Sequence, residues 1–425
     1  MNKALIAVAL AAACAGWPAA LVGQSAAPLV LTRRQAIDTA LARNPALAAA
    51  REEIAQARAR EVEATAFPDP AISADVTGES NLAHPGRNSD SDLGVGLDLP
   101  FPTKFLLRHR VSHADVASAR DAYEQLRQQT ASQTAQAYDA VLVALRHQAD
   151  LEDGRQLAQE FLDKARVRYA QGSVARLDVI KAEVDAAQAE NALIANGRDL
   201  ANARAALNRL LGRLLGAAVD LADTLVVPPA LPALAQLDSI ALGRRPELAS
   251  LQSQRAGARA ATSLAKEYWL PDLGVSVSEN FVAGAPTTYT TAVGFSFPLF
   301  FWNHQGGEVA EASHHERELD AAYRDLEAQV DQDVRTTYAT AATALQQAEY
   351  LRDQLVPEAR EAYTIASTSY GLGGSSVLQV LDAHRTLLDA ESQYAEALGA
   401  ANDARADLER AIGMPLDSIP AGGSQ

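Results

Sequence analysis

Histidine pairs and a glycine-rich turn are the residues whose types and spacing could support chemistry. His109 and His113 are four residues apart on a predicted helix, which can suit a metal ion, but the sequence places no third ligand beside them. Residues 314–316 (His-His-Glu) lack the second histidine of a zinc-protease motif. Residues 371–375 follow no buried strand, so they form neither a phosphate loop nor a nucleophile elbow. We therefore expect no catalytic, cofactor or metal site and no enzyme activity.

The composition favours long helices over a conventional globular core. The 425 residues are 48% hydrophobic but only 5% aromatic, and alanine is abundant. The net charge of −16 argues against a nucleic-acid partner, because phosphate binding needs clustered lysines and arginines. Cys14 is the single cysteine, which excludes a disulfide framework and a cysteine-based zinc site.

The first 25 residues predict an export signal. A short charged start precedes an apolar run over residues 4–15, and Trp17-Pro18 ends that run below the length of a transmembrane helix. Three alanines before Cys14 also resemble a lipoprotein acylation site, for which the signal would be residues 1–13. Both alternatives predict an exported chain.

The chain is a duplication. Four short segments recur 201 residues later: those starting at Ala40, Phe67, Tyr169 and Arg209 recur at Ala241, Tyr268, Tyr370 and Arg410. One offset in four places indicates two structural units of residues 31–212 and 236–413. A linker (213–235) joins them, and a tail (414–425) follows.

Each unit predicts a helix, a β-hairpin, a long helix, a turn and a last helix. A capping box at Thr32–Gln35 starts the first helix. The long helices would each measure about 100 Å, with a kink at Pro357 and a bend at Gly154. The predicted helices are 32–66, 103–170 and 176–211, then 236–267, 304–370 and 376–412, with turns at 171–175 and 371–375.

Four segments alternate apolar and polar residues with the period of a β-strand. They are 71–79 and 92–100 in the first unit, and 272–281 and 289–299 in the second. The length of each segment is close to the roughly 9–11 residues that a transmembrane strand needs. Four strands cannot close a barrel, so a membrane barrel would need several chains.

Aromatic residues gather where predicted helices meet predicted strands. Such residues form girdles at membrane–water interfaces, although a soluble hairpin with a small aromatic core is the alternative. The girdle candidates are Phe67, Phe101, Phe105, Trp269, Phe297, Phe300, Phe301 and Trp302.

These units, with the phrase Leu-Thr-x-x-x-Ala-Ile…Asn-Pro-x-Leu at 31–47, resemble the TolC family of outer membrane efflux proteins. The resemblance implies a mainly α fold with a membrane β-barrel part. It implies a homotrimer whose twelve-strand barrel continues into an α-helical barrel tunnel across the periplasm of a Gram-negative bacterium. The linker and the tail would then form an equatorial belt. The implied partners are a periplasmic adaptor protein, an inner-membrane transporter and outer-membrane lipid.

The same resemblance assigns roles to both turns. The Tyr-x-x-Gly turns, with Tyr169, Gly172, Tyr370 and Gly373, correspond to the periplasmic tip that meets the adaptor. Asp178 and Asp382 match carboxylates that narrow the entrance in the family, or else they are solvated residues near a turn. Gln379 is the repeat equivalent of Asp178 and departs from the family's acidic pattern.

The function predicted is that of a passive outer-membrane channel in a tripartite efflux system, exporting small molecules or metal ions. Two alternatives remain open. One is the channel of type I protein secretion, and the other is a soluble periplasmic coiled-coil scaffold.

Overall fold

In the computed structural model the chain is described over residues 29–77, 90–282, 285–298 and 300–419. The predicted signal with Cys14, residues 78–79 of the first predicted strand and residue 299 of the last lie outside these residues. The side chains of residues 301–304 are also not described, so the girdle roles of Phe301 and Trp302 stay predictions.

The described chain is mainly helical. Its α-helices are α1 (Arg33–Arg43), α2 (Pro45–Ala64), α3 (Pro102–Ala170), α4 (Arg176–Leu210), α5 (Leu234–Arg244), α6 (Pro246–Lys266), α7 (Phe301–Tyr350), α8 (Val356–Leu372) and α9 (Val377–Ile412). Its strands are β1 (Leu29–Leu31), β2 (Ala71–Thr77), β3 (Asp90–Leu99), β4 (Val219–Leu221), β5 (Asp272–Phe281) and β6 (Thr288–Ser296). No helix in the described ranges is long and apolar enough to cross a membrane.

The first helix of each unit is divided in two, so the single helices predicted over 32–66 and 236–267 are wrong. Thr32 and Gln35 form the expected capping box at α1. Asn44 then leaves the helical conformation, and its side chain caps α2, which starts at Pro45. Arg245 and Pro246 repeat the break between α5 and α6. Proline disfavours a helical conformation in the residue before it but suits the first position of a new helix.

The two long helices differ. α3 passes through Gly154 without a break, and that glycine allows close contact with Leu388 of α9. The helix predicted over 304–370 starts at Phe301 and contains a π-helical turn (Leu351–Leu355) before α8. Pro357, the second residue of α8, lacks the N–H that a continuous helix would need, and the π turn immediately precedes it.

The strands of the two units form one antiparallel sheet in the order β2-β3-β5-β6. The β3–β5 pair joins the units, with Val95 opposite Val277 and Gly94 opposite Ser278. One face therefore carries the large apolar residues and the other carries glycine, serine and aspartate. Within the described residues, β2 and β6 each pair along one edge only.

A second sheet was not predicted from the sequence. β1 and β4 pair in parallel, with Leu29 opposite Val219 and Leu31 opposite Leu221. Each strand has only three residues, which is too short for an alternation to be recognised. The pair ties the start of the first unit to the linker.

α3 is the helix around which both units pack. It lies against α4 of its own unit and against α6 and α9 of the other. Buried side chains form one cluster beside the turns and two others farther along the helices. The units are thus intertwined along their length.

Candidate functional site

Both predicted turns are tight reversals built on glycine. Gly172 has φ 71° and Gly373 has φ 86°, the left-handed region that other residues rarely adopt. The N–H of Ser173 donates to the Arg168 carbonyl, and the N–H of Gly374 donates to the Ser369 carbonyl. These bonds satisfy carbonyls at the helix ends, as in a Schellman motif.

The two turns meet through Tyr370, which is only 1% exposed. The Arg168 guanidinium lies 4.6 Å from the centre of the Tyr370 ring, and Arg168 donates a hydrogen bond to the Tyr370 carbonyl. Phe161 packs on the same ring, with the ring centres 5.1 Å apart. Burial raises the pKa of the Tyr370 hydroxyl. The charge of Arg168 opposes this shift, and the smaller effect of the Asp178 charge adds to it.

Tyr169, the repeat equivalent of Tyr370, is 46% exposed. The structure therefore brings Tyr370, Gly373 and Asp178 into one region but leaves the Tyr169 ring open. Repetition of the Tyr-x-x-Gly motif could not reveal this difference, because the partners come from another helix.

The entrance candidates lie at the starts of α4 and α9. Asp178 is half-buried in the first turn of α4, where a helix N-terminus favours negative charge. Asp382 is exposed in the second turn of α9. Gln379 is a capping residue, because its Oε1 accepts a hydrogen bond from the N–H of Ser376 at 2.8 Å.

Sequence reasoning missed a buried polar contact close to the turns. Nδ1 of His384 lies 2.9 Å from Oδ2 of Asp185, and Nε2 lies 3.1 Å from the Gly154 carbonyl. The imidazole thus links α9 to α4 and α3, with His384 2% exposed. A lone histidine among helical residues carries no signal in the sequence, because its partners are about 200 residues away.

Aromatic side chains mark the junction between sheet and helices. Phe67, Trp269, Phe297 and Phe300 are largely exposed, and Phe67 stacks on Phe105 at 5.9 Å. The N–H of Phe101 donates to Asp272, which also pairs with the buried Lys104 at 3.1 Å. That pair fixes the start of α3 to the start of β5.

The histidine pair has a carboxylate partner that the sequence did not indicate. Nδ1 of His113 lies 3.0 Å from Glu61 Oε1, and Nδ1 of His109 lies 3.6 Å from it. All three residues are on the surface of α2 and α3. Among the described residues no group of three His, Cys, Asp or Glu side chains could hold a metal ion.

Comparison with known proteins follows the same division into two units. The family model described as outer membrane efflux protein matches residues 36–213 and 237–414. The chain is 23% identical over 390 residues to the cobalt-zinc-cadmium resistance protein CzcC of Cupriavidus metallidurans, covering 92% of this chain and 91% of CzcC.

Solved structures share the fold. The outer-membrane channel OprN superposes with a TM-score of 0.78 at 18% identity, covering 90% of both chains. The outer membrane protein VceC of Vibrio cholerae has a TM-score of 0.76 at 18% identity, covering 90% of this chain and 96% of VceC. The resemblance found in the sequence is confirmed: the chain belongs to the outer membrane efflux protein family and is an outer-membrane efflux channel.

Proposed function

We propose that this channel is the passive outer-membrane duct of a tripartite exporter, that it catalyses no reaction, and that it works as a homotrimer. Three chains would contribute four strands each to a twelve-strand barrel, and their helices would form a tunnel. A periplasmic adaptor would dock on the tips at Tyr169, Gly172, Tyr370 and Gly373, and an inner-membrane transporter would supply the energy.

An exposed apolar stripe on α4 is the main observation that supports assembly into a trimer. α4 exposes an apolar seam, a stripe at coiled-coil spacing formed by Leu177, Ile180, Val184 and Ile194. The repeat equivalents of Ile180 and Ile194 on α9 are Leu381 and Ala395, which are 6% and 0% exposed. Within the chain, α9 packs against α3 of the other unit. α4 is the repeat equivalent of α9, and α7 with α8 is the repeat equivalent of α3. By this symmetry, α4 would pack against α7 and α8 of a neighbouring copy.

The sheet supports the same arrangement. β2 and β6 are its edges, and open edges are not tolerated in lipid. Pairing β6 of one copy with β2 of the next would leave no edge, as in any closed ring. The exposed apolar face, which includes Ile72, Val95 and Val293, would then contact lipid.

Assembly is tested with one arginine on each face of β6. Val293 lies on the apolar face and its neighbour Ala292 on the polar face. Val293→Arg should abolish the detergent-extracted trimer, because arginine facing lipid costs about 2–4 kcal/mol in each chain at mid-membrane. The matched variant Ala292→Arg should assemble. A monomeric wild-type protein that needs no detergent would refute the proposal and favour the soluble scaffold.

We infer that Asp178 and Asp382 narrow the entrance. Both are acidic and lie just past the turns, and carboxylate rings select cations in other pores. Single-channel currents of the Asp178→Asn/Asp382→Asn variant should lose block by divalent cations. Asp389→Asn, an exposed change on the same α9, is the control. Unchanged block in the double variant would remove both residues from the entrance.

The cargo proposed is metal cations. CzcC, which aligns with most of this chain, is named for cobalt, zinc and cadmium resistance. Deletion of the gene should sensitise the host to these ions, and the cloned gene should restore growth. Sensitivity to small organic compounds instead of metals would indicate drug efflux, and a lost secreted protein would indicate type I secretion.

A further inference from the structure

Midway along α3, the register of this helix against α9 places two carboxylates from different units opposite each other. α3 and α9 run antiparallel, and three neighbouring contacts fix their register. Gln136 donates to Asp407 at 3.0 Å, Gly399 lies against Val143, and Gly154 lies against Leu388. In this register Asp139 of α3 faces Asp403 of α9.

Among the described residues, Asp139 pairs with one cation. It is 2% exposed, and its Oδ2 lies 3.1 Å from Nη2 and 3.2 Å from Nε of Arg33, the first residue of α1. The N–H of Arg33 donates to Asp223, after β4, at 2.7 Å. Arg33 thus lies between carboxylates from two elements.

Asp403 is half-buried, and among the described residues no arginine or lysine lies within ion-pair distance of it. Its Oδ1 is buried and accepts no hydrogen bond among the described residues. An ionised carboxylate in that position is costly, because burial removes its hydration without replacing it.

The surrounding charges do not offset the cost of ionising Asp403, because most of them are negative. The groups that act on Tyr138, Asp139 and Asp403 from outside this trio are Arg33 of α1, Asp223 after β4, and Asp407 and Glu409 of α9. α4, which also packs against α3, carries Arg204, whose buried Nε has no hydrogen-bond partner among the described residues. Arg410 lies 3.8 Å from Asp407, and Arg405 pairs with Glu409 and Asp417. Arg33 is the cation whose charge opposes the rise in pKa of both Asp139 and Asp403.

We propose that Asp139, Asp403 and Arg33 form a pH-dependent clamp, in which one proton held by the facing carboxylates keeps α3 and α9 together. When that proton leaves, two negative charges face each other beside one arginine, and the helices separate locally. The clamp joins the two units at the middle of the tunnel wall, away from the tips. It depends neither on the cargo nor on the entrance residues.

The direction of the pH effect follows from burial. Burial raises the pKa of Asp139 to about 6, although Arg33 opposes the shift. Burial, followed by the charges of Asp139 and Asp407, raises the pKa of Asp403 to about 7. A carboxyl group with a raised pKa in the closed state stabilises that state at low pH. The stabilisation falls as pH rises from about 4 towards the raised value and is lost above it.

Hydrogen exchange of the purified channel in detergent tests the clamp. The opening constant of the segment around Asp403 is measured at pH 5, 6, 7 and 8 for the wild type and for Asp403→Asn, which mimics the protonated acid. Dividing the wild-type opening constant by that of Asp403→Asn cancels the intrinsic pH dependence of exchange. This ratio should rise by up to about tenfold per pH unit between pH 5 and 7 and then level off.

Asp389→Asn is the matched control, because it removes an exposed carboxylate from the same helix. It should follow the wild type at every pH. Infrared difference spectra of wild type minus Asp403→Asn should contain a protonated carboxyl band at pH 5 that disappears by pH 8. A constant opening ratio, or no protonated carboxyl band at pH 5, would overturn the proposal.

Discussion

The two turns have the same Tyr-x-x-Gly motif but different surroundings. At the turn of the second unit, Tyr370 is buried between Phe161 and Arg168 of the first unit. At the turn of the first unit, Tyr169 is exposed. The difference arises because, within one chain, the first unit packs against the turn of the second unit, whereas the opposite side of the first unit has no equivalent neighbour among the described residues.

The repeat offset tells which residues a neighbouring copy could offer to Tyr169. The equivalents of Phe161 and Arg168 are Ala362 and Ser369, which have neither a ring nor a charge. The contact within a chain is therefore held by an aromatic and cationic pair that a contact between chains would lack. If the proposed trimer has its entrance at these turns, we expect the entrance to open first between chains.

Truncating the two tyrosines should have the most unequal effects. Tyr370→Ala removes a buried ring and should destabilise the chain by about 3–5 kcal/mol, lowering the apparent Tm. Tyr169→Ala should change the stability by about 0.5 kcal/mol or less, because its ring is exposed. Tyr370→Phe is the control. The buried Tyr370 hydroxyl has no hydrogen-bond partner among the described residues, so its removal should not destabilise. Equal losses for both alanine variants would refute the comparison.

The apolar seam of α4 and the equivalent positions of α9 extend the comparison along the helices. Leu381→Ala should cost about 2–5 kcal/mol of chain stability, because Leu381 is buried within the chain. Ile180→Ala, at the equivalent position of α4, should leave helix content unchanged and weaken only the assembly. Circular dichroism and mass in detergent separate the two results. A loss of helix content in Ile180→Ala would contradict the assignment of its seam to a neighbouring copy.

Arg168 tests the polar part of the Tyr370 contact. Arg168→Met keeps most of the packing volume but removes the hydrogen bond and the cation–π contact, so a loss of about 1–2 kcal/mol is expected. Arg166→Met is the control. Arg166 pairs with Glu183 at 3.2 Å on an exposed surface, where a pair contributes about 1 kcal/mol or less. Thermal unfolding of both variants at one scan rate measures the difference, and a larger loss for Arg166→Met would contradict it.

The smallest effect is expected from giving Tyr169 the aromatic and cationic contact that Tyr370 already has. Ala362→Phe with Ser369→Arg would offer Tyr169 of a neighbouring chain the ring and the charge that Tyr370 already has. If tips open between chains, the added contact, about 1 kcal/mol per tip, should lower the single-channel open fraction. The same pair of changes in a Tyr169→Ala background should have no such effect. An unchanged open fraction in both backgrounds would place the opening elsewhere.

Much of the fold follows from local patterns in the sequence. The duplication, the alternating strands, the long helices and the glycine turns each depend on residues within a short segment. The division of the first helix of each unit was missed although Asn44-Pro45 and Arg245-Pro246 were visible. A proline preceded by a capping residue can start a helix as well as end one.

The candidate site was predictable only in part. The family resemblance predicted roles for the two turns, for Asp178 and Asp382 and for Gln379, and these roles stay predictions. The structure adds that Gln379 caps α9 with Ser376. His384 and Asp185 gave no signal, and Glu61 could not be assigned to His109 and His113. These partners are between 48 residues (Glu61 and His109) and 199 residues (Asp185 and His384) apart in the sequence, so only packing brings them together.

The sequence by itself determined the elements, their duplication and the chemistry available, because backbone preferences and periodicity are local. The tertiary structure decided which of two equivalent tyrosines is buried and which carboxylates face each other across α3 and α9. These outcomes depend on the register of helices far apart in the chain. A repeat makes two units alike in sequence, but one chain gives them unlike neighbours.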